Sequence, residues 1–405
     1  MQRNYMPANT ERGSKIGDPP TFSNRIEWAN SLRGVAAVSV LISHYMGVFW
    51  FSQPAAAALV HRAPLPVDPA NMPWFARLVH WMQIDFGGLG VALFFLLSGY
   101  VIAMSLEKYS RLGFLVGRSM RILPTYAVGF LVTCSAVWLI SGRPPIYEVA
   151  AGLIPGLSML FRFPTVSDGI VWTLIIELAF YSICLIWFRK LTRSWVAITA
   201  TGIGCAAVQI LLQTPYATLY IPLSMSGART IALLSCPYLL IMLIGVTVSA
   251  CSRGNISKWS LLLVPVLTAG FLWLSATSIY VTAIANRLTY LVSIAVFLVI
   301  SKYGNRLKRT RITSFMADIS YPLYVVHGVL GYAVLYALTE RNAHASIAVP
   351  GVTFLAVFVA FLIHRLIEMP THVIGQKLAR RLASSGWQAI VERPAVQTSL
   401  NSPDV

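Results

Sequence analysis

Apolar runs of bilayer length recur from one end of this chain to the other, and they limit the fold more than any motif does. About eighteen uninterrupted apolar residues suffice to cross a hydrocarbon layer as a helix. Candidate spans of that kind cover residues 32–51, 84–105, 122–140, 169–188, 195–212, 230–250, 259–280, 283–301, 317–338 and 346–367. Within lipid a backbone must satisfy its own hydrogen bonds, and for runs of this length the helix does so. The expected fold is therefore an all-α, polytopic transmembrane helical bundle of about ten spans. With 57% apolar and only 11% charged residues, a chain of 405 residues could not cover a water-facing surface.

The formal charge of +17, taken alone, suits a nucleic-acid partner. The Lys and Arg residues, however, lie in short clusters between apolar runs, a pattern that fits the positive-inside rule better than a basic binding face, so no nucleic-acid partner is expected. Placing both termini in the cytoplasm puts about 23 Lys and Arg inside against about 7 outside. Residues 1–27, polar and carrying Arg3, Arg12, Lys15 and Arg25, read as a disordered cytoplasmic tail without a cleavable signal peptide. Residues 28–370 form the membrane domain, the first span acting as a signal anchor. Residues 371–405, with Lys377, Arg380 and Arg381, read as a basic cytoplasmic tail, largely disordered at its end. The five cysteines have neither metal-ligand nor disulfide-framework spacing. No metal site and no internal repeat is expected.

A few ionisable residues interrupt the apolar runs, and such groups are functional hypotheses by default. In Ser31–Trp50 the chain carries Arg33 and, eleven residues on, His44. That spacing is about 16 Å along a helix and returns nearly to the same face. Neutral imidazole is the natural general base near neutral pH. The alternative is a histidine bonded to a backbone carbonyl or to Ser39 or Ser43. Glu177 is the acid well inside a span, about 12 Å from its outer end. It is paired, protonated or facing a cavity, and an interhelical lock is the competing explanation. His327 lies about 15 Å from the inner end of its span. His44, Glu177 and His327 are thus expected in one layer, forming a polar site, although His327 equally fits a bridging core histidine. Arg118 and Arg121 share a helix face before the third span. Paired guanidiniums suit phosphate, while topology or lipid headgroups explain them as well. Gly87, Gly88, Gly90 and Gly99 suit close helix packing, and Ser98-Gly99 instead suits a cavity wall.

These residues, taken together, resemble the integral-membrane acyltransferase family 3, which includes O-acetyltransferases of O-antigen, exopolysaccharide and lipochitin-oligosaccharides. Arg33 and His44 are similar to its Arg-x10-His motif. Gly90-Val-Ala-Leu-Phe-Phe-Leu-Leu-Ser-Gly-Tyr100 resembles its Phe-Phe-x-x-Ser-Gly stretch, and Arg118-x-x-Arg121 before Pro124 its cytoplasmic Arg-x-x-Arg. Trp172-Thr-Leu-x-x-Glu177 with Phe180-Tyr181 resembles Trp-Ser-Leu-x-x-Glu-x-x-Phe-Tyr. Ile319-Ser-Tyr-Pro-Leu-Tyr-Val-Val-His327 resembles Ser-Tyr-x-x-Tyr-x-x-His, and Glu368-Met-Pro370 the closing Glu-x-Pro. Thr173 departs from the usual Ser, and Leu178-Ala179 from a polar pair. The chain reads as the membrane module alone.

The resemblance implies an acyl-coenzyme A donor, most often acetyl-CoA, as co-substrate, with no permanently bound cofactor. It implies a hydroxyl acceptor on a carbohydrate or glycolipid, and a bacterial inner membrane with its lipids as surroundings. On this reading Arg118 and Arg121, joined by Arg33, hold the donor's phosphates at the cytoplasmic mouth. The pantetheine arm runs inward along the first span to His44, which acts as base or transient acyl carrier. Glu177 orients that imidazole, while His327, Tyr324, Trp172 and Ser98 support the site or meet the acceptor. The rival is a proton-coupled transporter or flippase that uses the intramembrane His and Glu groups as relays. An inactive structural subunit is the third reading, which the clustered ionisable groups oppose.

Overall fold

The computed structural model describes residues 27–66, 72–142, 149, 152, 171–214, 226–278, 286–304 and 310–391. The expected tail before residue 27 and the last residues of the expected basic tail, from 392, lie outside them.

Helix α1 (Glu27–Ile42) carries Glu27 in its first turn, where an acid complements the helix dipole. It continues through a π-helical segment, Ser43–Val48, to Phe51, 25 residues in one rod. Two short helices follow, α2 (Gln53–Leu59) and α3 (Trp74–Met82). Helix α4 (Phe86–Lys108) starts where the Asp85 carboxylate accepts the Gly88 N–H at 2.7 Å. Helix α5 (Arg111–Ser141) starts under the Ser110 hydroxyl and stops at Gly142, whose φ of 70° ends the ladder. Then come α6 (Val171–Trp187), α7 (Trp195–Gln213), α8 (Ser226–Ser252), α9 (Leu263–Thr277) and α10 (Arg287–Tyr303). The chain closes with α11 (Arg311–Asp318), α12 (Ser320–Glu340), α13 (Ala345–Ile363), a second π segment (His364–Glu368) and α14 (Met369–Val391).

Eight of the helical rods are long and apolar enough to cross a membrane. Helices α6 and α10, of 17 residues each, stand at the lower limit of length. No strand occurs among the described residues, and the fold is an all-α polytopic bundle, as the apolar runs require. Large apolar side chains such as Leu139, Ile186, Ile347 and Phe354 point outward, which lipid tolerates and water does not.

Three boundaries differ from the sequence expectation. The third span begins at Arg111 rather than at 122, so Arg118 and Arg121 ride on the transmembrane rod itself. The ninth is split at Ile319, because Pro322 has no N–H to offer the Asp318 carbonyl. The stretch after 370, expected as a tail, continues as helix to Val391 and packs along α5. Small residues allow that contact: a Cβ on Gly113 would meet the Ala379 carbonyl at 2.8 Å.

Helix α4 sits at the centre, packed on α8, α1 and α10. The α4–α8 crossing is reciprocal: a side chain on Gly99 would strike the Met242 carbonyl, and one on Gly245 the Leu96 carbonyl. Two apolar cores result. One gathers around α4, α6, α8 and α10, the other around α12, α13 and the C-terminal half of the α1 rod. Phe94 packs against both, and the polar residues collect along that seam.

Candidate functional site

At one end of the seam, arginines from two helices converge. Arg33, Arg118 and Arg121 line an inner cavity of about 100 Å³, together with Ser98, Thr173, Glu177, Tyr181, Tyr321 and Tyr324. Arg118 is held in place from three sides. Its Nη2 donates to the Ser105 hydroxyl at 2.7 Å, and its guanidinium lies 5.8 Å from the ring centroids of both Phe114 and Tyr181. Tyr181, one turn along α6, donates its hydroxyl to Glu177 Oε1 at 2.5 Å, and Ser98 approaches the same oxygen at 3.5 Å. Glu177 therefore sits among the arginines, within electrostatic range of Arg33, as are Arg121 and Arg118.

This cavity adjoins a wider one of about 620 Å³, lined by Arg33, Arg121, Asp318, His364, Arg365 and Glu368 among others. Arg33 and Arg121 are common to both. Glu368, buried in the second π segment, takes His364 Nδ1 at 2.7 Å and faces Arg121 Nε at 3.9 Å. The start of α1 and the π segment before α14 meet here, so both ends of the described membrane domain lie at the same end of the bundle.

His44 belongs to a second group, in the first π segment. Its Nδ1 is 2.5 Å from the Tyr332 hydroxyl, and its ring packs edge-on against His327, with centroids 4.7 Å apart. His327 Nδ1 reaches the Leu323 and Tyr324 carbonyls at 3.0 and 2.9 Å. An imidazole in that position donates from Nδ1, which leaves Nε2 as the acceptor nitrogen. That Nε2 is buried and has no hydrogen-bond partner among the described residues. Tyr45, beside His44, donates to the His327 carbonyl at 2.6 Å, tying α1 to α12 at the level of the histidines. Tyr324 stands between the two groups. It lines the arginine cavity, its hydroxyl is 2.8 Å from that of Thr173, and its ring is 5.5 Å from His327.

The sequence-expected residues thus divide. His44 and His327 come together, as do Arg33, Arg118, Arg121, Glu177 and Ser98. Glu177 does not reach His44: its carboxylate is engaged by Tyr181 and Ser98, and no hydrogen bond joins it to either histidine. The three groups do not share one hydrogen-bonded cluster among the described residues, because helical rise sets depth but not the rotation that decides which side chains meet. Trp172 packs in the core, 6.4 Å from Phe95 and 5.4 Å from Tyr238 between centroids, and does not itself line these cavities. Tyr332, Tyr181 and the His364–Glu368 pair were not assigned from sequence. Tyr181 was within reach of sequence reasoning, lying four residues from Glu177 on the same face. Glu368 opens the closing Glu-x-Pro motif, to which the sequence attaches no role. Tyr332 follows His327 by five residues, a spacing that signals nothing in a regular helix.

A family model described as an acyltransferase domain matches residues 26–365. Among curated proteins, Nodulation protein 10 of Rhizobium leguminosarum bv. viciae is 29% identical over 161 residues, 35% of this chain and 42% of the relative. Acyltransferase MdmB of Streptomyces mycarofaciens is 28% identical over 218 residues, 50% of this chain and 49% of the relative. The chain thus spans about half or less of the length of the curated relatives it matches. No solved structure gives a significant match.

Proposed function

The chain belongs to the acyltransferase-domain family, and from that premise we propose that this membrane acyltransferase moves an acetyl group from acetyl-CoA to a carbohydrate hydroxyl. One observation carries the reading. Arginines on α1 and α5 line adjoining cavities, a wide mouth and an inner one that reaches Tyr324, and the His327–His44 pair packs against Tyr324. Phosphates at the mouth and a base at the inner end are what a phosphorylated thioester donor requires. The mouth cavity, about 620 Å³, is of ligand size.

In the reaction His44 takes the proton of the acceptor hydroxyl as the oxygen attacks the thioester carbonyl. A C–O bond forms, the C–S bond breaks, and the coenzyme thiolate leaves with the proton that the imidazole held. Tyr332 fixes the His44 ring through Nδ1 and keeps Nε2 for the substrate, the orienting part of a triad performed here by a phenol. Glu177 instead balances the arginines and, through Tyr181, holds the shelf on which Arg118 rests. Tyr324 must swing aside for the thioester to meet His44. The arginine mouth faces the cytoplasm, where acyl-CoA is made, and the acceptor approaches from the histidine side.

Release of free coenzyme A thiol by the purified protein tests the reading, with acetyl-CoA and a panel of glycans supplied. The wild type turns over, His44→Ala folds but loses roughly a hundredfold or more in rate, and the Arg118→Ala/Arg121→Ala pair raises the apparent KM for acetyl-CoA. An active His44→Ala protein removes the base, and an unchanged KM removes the phosphate site.

A further inference from the structure

A third cavity, of about 560 Å³, opens beside the mouth, and nothing in the proposed reaction has yet used it. Its lining includes the cations Lys108, Arg118, Arg121 and Arg253, against one carboxylate, Glu107. That carboxylate is already committed. Arg193 donates to it from Nη2 at 2.6 Å and from Nε at 3.2 Å, and the Thr192 hydroxyl at 2.5 Å. Arg121 faces Glu368 at 3.9 Å, whereas Lys108, Arg118 and Arg253 form no ion pair among the described residues. Arg253, just past the end of α8, is exposed and forms no ion pair among the described residues. The mouth cavity differs in balance: Arg33, Arg121 and Arg365 face Asp318 and Glu368 there. Of the two ligand-sized cavities, the third is the one suited to a dianion.

Arg118 and Arg121 also connect this cavity to the inner one. A ligand whose pyrophosphate lies on those two guanidiniums can extend one way toward Tyr324 and the other way toward Arg253. Tyr109, half-buried in the lining, adds an aromatic surface for a heterocycle.

We propose that this third cavity is the subsite for the nucleoside end of the donor, with Arg253 and Lys108 binding the 3′-phosphate of its adenosine. The inference rests on the acyl-CoA reading and makes it more specific. The enzyme selects coenzyme A over its 3′-dephospho form, because a phosphate monoester carries about two negative charges at neutral pH and Arg253 meets it with an uncompensated guanidinium.

The test is calorimetric titration of the full chain in phosphatidylcholine nanodiscs, which hold no anionic headgroups, with acetyl-CoA and with 3′-dephospho-acetyl-CoA. Wild type binds acetyl-CoA roughly tenfold more tightly, the scale of one charge-assisted contact. Arg253→Gln brings the two affinities close together by weakening acetyl-CoA alone. Lys302→Gln, which removes the same charge outside these cavities, keeps the ratio. Equal affinities in the wild type, or a ratio that survives Arg253→Gln and Lys108→Gln, overturns the subsite while the donor stands. Binding of neither compound removes the donor reading and the subsite with it. A variant that loses only a response to added phosphatidylglycerol, with its ratio intact, reassigns Arg253 to lipid headgroups and overturns the proposal.

Discussion

At the scale of single residues, the contact between Tyr332 and His44 carries the most chemistry. A histidine whose Nδ1 is bonded to a phenol has its ring plane fixed, so Nε2 is the nitrogen left to meet a substrate. Tyr332→Phe removes that restraint while keeping the ring that stacks near Phe49. The expected result is a fall in kcat of roughly tenfold or more, as for loss of an orienting partner. The KM for acyl-CoA stays unchanged, because Tyr332 touches none of the arginine cavities. Steady-state kinetics separate the two constants, and an unaltered kcat would reduce Tyr332 to a packing residue. Glu177 shows the converse. Its presence deep in a span announced a polar site, but its partners decided which one. Tyr181 and Ser98 place it with the arginines rather than with the histidines.

At the scale of helices, glycine determines how the bundle closes. The α4–α8 crossing brings backbone to backbone at Gly99 and Gly245, and Ser98, one residue away, turns into the cavity as a result. Gly245→Ala drives a methyl group toward the Leu96 carbonyl and should cost about 1–3 kcal/mol, the scale of overpacking. Gly204→Ala on α7 meets nothing within 4 Å and gains the helix preference of alanine instead. Thermal melts in detergent should therefore move in opposite directions for the two variants. A shared direction would show that the crossing has slack. The two π segments act at this scale as well. Ser43–Val48 and His364–Glu368 each carry a histidine, and each inserts a wide turn that re-aims the side chains after it. Neither has a sequence signature of the kind that Pro322 supplies at the α11–α12 break.

At the scale of the whole molecule, the described membrane domain starts and ends at one end of the bundle, around the arginine mouth. The acyl-CoA reading requires that end to face the cytoplasm. Reporter fusions at the C-terminus give the outcome directly: a fluorescent cytoplasmic reporter is active, and a phosphatase that matures only outside is not. The reverse pattern would turn the mouth away from the donor and end the reading. Much of this architecture was legible in the sequence. Hydropathy fixes which segments enter lipid, because the cost of burying charge depends on local composition, and most helices lie within a few residues of their apolar runs. The residues of the mouth and of the histidine pair were legible too, since ionisable groups stand out against an apolar background. Only the tertiary structure decided which of them meet. Partnership depends on the tilt and rotation of each helix, and one residue of extra turn swings a side chain by about 100°. A linear pattern does not record that angle, so Tyr332 beside His44, and Glu177 beside the arginines, emerged only when the helices were packed.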